Sequence, residues 1–118
     1  MENVRIGVVG LGRLGSLHAK LVREVPSARL AALYDSDAAR MNALAAELDA
    51  PACASLEKLL ASVDAVCIAT PTKAHHSVAK AALAKGLHVF IEKPITKTTE
   101  EAQELIALVV PGARFVQV

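Results

Sequence analysis

The sequence predicts an α/β domain built on a doubly wound parallel sheet, with helices on both faces in a three-layer αβα arrangement. Three observations carry that expectation. Short β-type runs alternate with longer helical runs along the whole chain, the pattern of parallel strands joined by right-handed helical crossovers. The strand candidates are continuous apolar runs rather than alternating ones, as a sheet covered on both faces requires. The chain has 118 residues, 53% of them hydrophobic, which is the usual size of one domain and enough to bury a core without metals or disulfides.

In order, "VRIGVV" (Val4 to Val9) is a strand that runs into "GLGRLG". Leu14, Leu17, Leu21 and Val25 then recur at helical spacing on one face, and Pro26 closes the segment. "ARLAALY" (Ala28 to Tyr34) is a second strand, ended by "DSD", where Asp35 or Ser36 can cap a helix over Asp37 to Leu48. "PACA" is at best a short third strand, and Ser55 opens a small helix, "LEKLLAS". "DAVCIAT" (Asp64 to Thr70) is the clearest buried strand. Pro71 breaks it before a helix from about Ala74 to Lys85, which Gly86 would terminate. "LHVFI" is a fifth strand. Thr98 and Glu101 have capping-box spacing at the front of "TEEAQELIALVV", and "PG" ends that helix before a last strand, "ARFVQV". About six strands are expected.

Composition narrows the partners. Lys and Arg number 13 against 12 Asp and Glu, so overall charge gives no reason to expect nucleic acid or an anionic membrane. No apolar stretch approaches the roughly 18 to 20 residues that cross a bilayer, and "MENVRIGVVGLG" lacks the apolar region of a secretory signal. A cytoplasmic setting is the default expectation. Cys53 and Cys67 sit in short apolar segments and read as buried small hydrophobes rather than a disulfide. His75 and His76 are adjacent, but no Cys or carboxylate lies at metal-ligand spacing beside them, so no metal site is expected.

Ligands of such sheets bind beyond the carboxyl ends of the strands, where strand order reverses, so the residues that end each strand matter most. The first strand ends in Gly10-Leu11-Gly12-Arg13-Leu14-Gly15, the G-x-G-x-x-G spacing. Gly10 would make the tight turn, Gly12 would let backbone approach a pyrophosphate, and Gly15 would let the helix pack close to the sheet. The phosphates would meet unpaired N–H groups and the positive end of the helix dipole. Glycines also serve ordinary turns, but the position after a strand and before a helix favours the binding reading. Asp35, 20 residues past Gly15, can accept hydrogen bonds from the adenosine ribose or cap the next helix. A carboxylate there repels a 2′-phosphate, which favours NAD over NADP. Arg40 weakens this only slightly, because a solvated helix face is its expected setting.

The fourth strand ends in Ala69-Thr70-Pro71. Thr70 and Pro71 can line a ribose or pyrophosphate, and loop-forming residues before a helix explain them equally well. His75 and His76 fall in a first helical turn, where position alone suggests a solvent-facing role. The fifth strand presents Glu92, Lys93 and Pro94 at its carboxyl edge. Proline cannot extend the ladder, so Lys93 is left projecting at the rim. An ammonium there can hydrogen-bond a substrate hydroxyl and stabilise the oxyanion character that develops as hydride leaves its carbon. A plain surface Glu-Lys pair fits the spacing as well.

Together "RIGVVGLGRLGSLHA", "AALYDSD", "DAVCIATPTKAHHSVAKAALAKGLHVFIEKPIT" and "TEEAQELI" resemble, in order, the segments of the glucose-fructose oxidoreductase, inositol dehydrogenase and rhizopine-catabolism group, the Gfo/Idh/MocA family. "EKP" after "ATPTKAH" is far more specific than the glycine fingerprint. The resemblance implies a Rossmann domain that binds NAD through Gly10 to Gly15, Asp35 with Ser36, Ala69, Thr70, Pro71 and His75, and the Glu92-Lys93-Pro94 turn. It implies Lys93 as the residue that assists hydride transfer. Family members act on sugars, inositols or nucleotide sugars. They continue for about two hundred residues into a second domain that holds most substrate contacts and the surface through which they commonly associate as homo-oligomers.

The resemblance thus makes residues 1–118 the dinucleotide-binding domain of a longer dehydrogenase, inactive by itself. The surface that the second domain would cover can then expose an apolar patch. A non-catalytic dinucleotide-binding or redox-sensing module remains open. So does an S-adenosylmethionine-dependent methyltransferase, in which "EKP" has no obvious use. The dehydrogenase reading requires the glycine loop and Lys93 to open onto one crevice.

Overall fold

The computed structural model describes residues 3–93, 96–109 and 116–117. Five parallel strands form one sheet in the order β2-β1-β3-β4-β5: β1 (Val4–Val9), β2 (Ala28–Tyr34), β3 (Ala65–Ile68), β4 (His88–Ile91) and β5 (Val116–Gln117). Helices α1 (Arg13–Glu24), α2 (Ala38–Leu48), α3 (Leu56–Ala61), α4 (Thr72–Ala84) and α5 (Thr99–Leu108) alternate with them. The chain leaves β1 towards β2 and then crosses back to place β3 on the other side of β1, so order reverses between β1 and β3.

Two apolar layers flank the sheet. On one face Val8, Leu33 and Cys67 pack under Ala19 of α1 and Met41, Leu44 and Leu48 of α2. On the other, Val9, Val66, Ile68, Val89 and Ile91 meet Leu59 and Leu60 of α3, Val78 and Ala79 of α4 and Leu105 of α5. Successive strand residues serve opposite layers, which is why these strands read as unbroken apolar runs.

Local signals at the helix ends act as their chemistry dictates. The hydroxyls of Ser55 and Thr98 accept from the backbone N–H groups of Lys58 and Glu101. Gly86, at φ 79°, turns the chain out of α4, and Leu87 N–H donates to the Ala82 carbonyl to close it.

Several expectations are corrected. "PACA" makes one isolated bridge, Leu33 with Ala52, so the sheet has five strands among the described residues rather than about six. Within "ARFVQV", only Val116–Gln117 lies in a described strand, and the "PG" stop lies outside the described residues. Asp37, not Asp35 or Ser36, caps α2, its carboxylate accepting from Arg40 N–H. Helix α4 starts at Thr72, directly after Pro71.

The stripe on α1 is the largest difference. Leu14, Leu17, Leu21 and Val25 are about half exposed, whereas Gly15 and Ala19 are buried. The helix lies on the sheet through its small residues, which allow close approach, and turns its large apolar side chains outward.

At the amino ends of the strands, Arg5 and Asp64 join β1 to the start of β3. Asp64 accepts from Arg5 N–H at 2.9 Å and from the guanidinium at 3.0 Å. These bonds hold the Asp64 carboxyl below the usual carboxylate range. A carboxyl depressed in the folded state stabilises above its unfolded titration and loses that contribution as pH falls through its folded one. We therefore expect Arg5→Gln to move the Asp64 titration, followed by carboxyl NMR, upward and to flatten the loss of stability on acidification below pH 4. Coincident Asp64 titrations in the two proteins would contradict this.

Candidate dinucleotide site

A crevice of about 750 Å³ opens at the carboxyl ends of β1, β2 and β3, at the reversal of strand order. Its floor is the turn from β1 into α1. Gly10 has φ 89°, a conformation that L side chains rarely adopt, and a Cβ there would stand 2.5 Å from Thr70 N. A Cβ on Gly15 would overlap the Gly10 carbonyl oxygen. These two glycines let the turn, α1 and the end of β3 interlock. Gly12 is different. A Cβ on it would meet only the Arg40 guanidinium, at 3.6 Å, so its open flank faces the crevice.

Gly12 is also the N-cap residue of α1, and no side chain caps that end. The first amides of α1 and the helix dipole are left for an anion. The Thr70 hydroxyl is buried without a hydrogen-bond partner among the described residues, a group that a ligand oxygen would satisfy. A glycine cradle, uncapped amides and an orphaned hydroxyl fit a dinucleotide diphosphate.

Asp35 is buried at the end of β2. One carboxylate oxygen accepts from Leu11 N–H at 2.7 Å and the other from Asp37 N–H at 2.8 Å. The side chain thus ties the glycine turn to the entry of α2 while lining the crevice. Arg40 reaches back to it, Nη1 to Oδ2 at 3.5 Å, and lines the same crevice. Arg40 is half exposed, in keeping with the solvated face expected for it, and from the first turn of α2 its guanidinium also reaches back to Asp35.

The structure brings together Gly10, Gly12, Arg13, Leu14, Asp35, Ser36, Ala69, Thr70 and Pro71 around this space. Leu11 is buried in the core and contributes its backbone, and Gly15 lies beneath, as packing. His75 is 2% exposed, so its expected solvent-facing position is corrected. Its Nε2–H donates to the Thr70 carbonyl at 2.9 Å, behind the loop that lines the crevice. Sequence reasoning passed over Lys73, which lies in the crevice wall. Its signal was its place in the first turn of a helix that starts at the strand end.

Glu92 and Lys93 end the neighbouring strand. Glu92 N–H donates to the Ile68 carbonyl at 3.0 Å, so this end adjoins the Ala69–Pro71 loop. Lys93 is exposed and is not among the residues that line the crevice. The single crevice expected of the two places is not seen among the described residues, although the two strand ends adjoin. Pro94 lies outside them. Glu92 instead engages His18 of α1, a partner that sequence reasoning missed, although His18 follows Gly15 by three residues and so shares its sheetward face.

Known proteins share this fold. The chain is 45% identical over 108 residues to a UDP-N-acetylglucosamine 3-dehydrogenase of Acidithiobacillus ferrooxidans, covering 92% of this chain and 34% of that protein. GenD2 from gentamicin A biosynthesis, solved with NAD, superposes with a TM-score of 0.89 at 30% identity, over 99% of this chain and 35% of that one. A biliverdin reductase of Synechocystis sp. PCC 6803, solved with biliverdin and NADP+, superposes with a TM-score of 0.92 at 27% identity, over 98% of this chain and 37% of that one. The chain thus spans about a third of the length of these relatives. With residues 4–118 matching the model of the oxidoreductase family with an NAD-binding Rossmann fold, and with the glycine cradle at the switch point, the chain belongs to the Gfo/Idh/MocA family.

Proposed function

We propose that this chain is the cofactor-binding domain of an NAD-dependent dehydrogenase. The enzyme moves hydride between the nicotinamide and a hydroxyl or keto carbon of a sugar, inositol or nucleotide-sugar substrate, with most substrate contacts supplied by a second domain. The observation that carries this is the open flank of Gly12 above an uncapped helix start. Names of relatives support the substrate class: a UDP-N-acetylglucosamine 3-dehydrogenase and a scyllo-inositol 2-dehydrogenase (NAD(+)) are among them.

Gly10 to Gly15 hold the diphosphate, with the first amides of α1 donating to its oxygens. Thr70 and Pro71 line the path towards the second ribose, and His75 fixes that loop through the Thr70 carbonyl. Bound there, the nicotinamide supplies the hydride acceptor or donor. Lys93, on the strand next to the Ala69–Pro71 loop, donates a hydrogen bond to the substrate oxygen and stabilises its developing negative charge.

Asp35 favours NAD. Its carboxylate faces the crevice and would repel a 2′-phosphate, although Arg40 offsets part of that charge. Asp35→Ala is expected to weaken NADH binding by about 1 to 3 kcal/mol, the scale of lost hydrogen bonds to a charged group. Titrations of both proteins with NADH and NADPH read this directly. Unchanged NADH affinity in the variant would leave Asp35 a structural acceptor for Leu11 and Asp37 alone.

A further inference from the structure

His18 belongs to none of the strand-end motifs, yet it meets one of them. Helix α1 carries it three residues past Gly15, where its Nε2 pairs with Glu92 Oε1. Its ring stands edge-on to Phe90, with centroids 5.6 Å apart and planes at 68°. The His18 and Glu92 side chains are 21% and 24% exposed. A carboxylate buried to that degree needs a partner. Along β4, alternate side chains face α1, and Phe90 and Glu92 share that side. Glu92 also lies near Cys67 of β3, whose thiol is pushed up to about 12 by burial and then by that carboxylate.

The next residue is Lys93. Among the described residues no ion pair involves it, although a carboxylate stands beside it in sequence. We propose that His18 is a positioning residue for Lys93. By engaging Glu92 it keeps that carboxylate from pairing with the neighbouring ammonium, and so leaves Lys93 available at the end of β4. The same contact ties the helix that faces the diphosphate to the turn that carries the lysine. This inference rests on the dinucleotide reading above.

The test follows the Lys93 side-chain Cε–H resonance in 13C,15N-labelled 118-residue chain as NAD+ is added, with site occupancy read separately from the Gly12 and Gly15 amides. In the parent chain both sets of signals are expected to shift. In His18→Ala the glycine amides still report occupancy, while the Lys93 shift at saturation falls at least twofold. It returns in His18→Gln, whose amide can donate to Glu92, and in the double variant His18→Ala/Glu92→Gln, which has no carboxylate to release. A merely structural role for His18 gives no reason for that second recovery. A full Lys93 response in His18→Ala, or no recovery in the double variant, would overturn the proposal. Glycine shifts without any Lys93 response in the parent chain would overturn it too. If neither signal responds there, the dinucleotide reading itself fails and takes this one with it. Should His18→Ala fail to fold, His18→Phe, which fills the space of the ring but cannot donate to Glu92, takes its place, with the same loss expected and a full Lys93 response overturning the proposal.

Discussion

Replacing Gly15 by alanine is expected to destabilise the domain by about 3 kcal/mol, the top of the usual range for overpacking a closely packed site. The added methyl would run into the carbonyl oxygen of Gly10, with the Gly10 carbonyl carbon 2.7 Å away. That obstacle is backbone, so no flexible side chain can yield. Gly10 cannot retreat, because its own φ of 89° and the nearby Thr70 backbone fix it. Relief would require α1 to lift from the sheet, separating Ala19 from Val8 and Cys67 in the core layer they share. Since small domains are stable by only about 5 to 15 kcal/mol, the loss would show plainly in a urea unfolding curve. A midpoint equal to that of the parent chain would mean that α1 does not need this close approach.

Much of this architecture was legible in the sequence, for reasons that are local. Parallel strands joined by helical crossovers follow from the alternation of short β-type and longer helical runs, and the end of α4 and the start of α5 follow from Gly86 and Thr98. What escaped reading depends on choices that periodicity leaves open. The spacing of Leu14, Leu17, Leu21 and Val25 defines a face of α1 but not which face meets the sheet. Gly15 and Ala19 decide that, because a helix with small residues on one side can approach more closely there. "DSD" offers three candidate caps, and Asp37 takes the role while Asp35 is drawn inward by the amides of Leu11 and Asp37. The reach of Arg40 depends on how the turn from β2 into α2 directs the first turn of that helix, and burial of His75 arises from packing between elements, which no single segment encodes. The same holds for His18 and Glu92, 74 residues apart.

Legibility also had a limit at the lysine. The glycine loop and the Ala69–Pro71 loop line one crevice, whereas Lys93 is exposed at the end of the adjoining strand and does not line it. A dinucleotide that reaches both must extend from the crevice along the strand ends, over the point where Glu92 N–H meets the Ile68 carbonyl. The proposal therefore depends first on whether the diphosphate sits where the glycines place it.

Gly12→Val isolates that question. Gly12 has φ −69° and ψ −157°, extended backbone open to any residue, and the nearest atom to a new Cβ is the tip of Arg40 at 3.6 Å. The fold should lose no more than about 1 kcal/mol, the preference for glycine over valine at a helix start. The isopropyl group would nevertheless occupy the flank that backbone alone leaves open to the diphosphate. The chain contains no tryptophan, so bound NADH can be followed by its own fluorescence without transfer from that residue. Titration of the parent and Gly12→Val chains with NADH should show binding to the first and at least a tenfold weaker affinity, about 1.4 kcal/mol, in the second at nearly equal stability. Equal affinity in the two would contradict the account, because the diphosphate would then lie somewhere other than over Gly12.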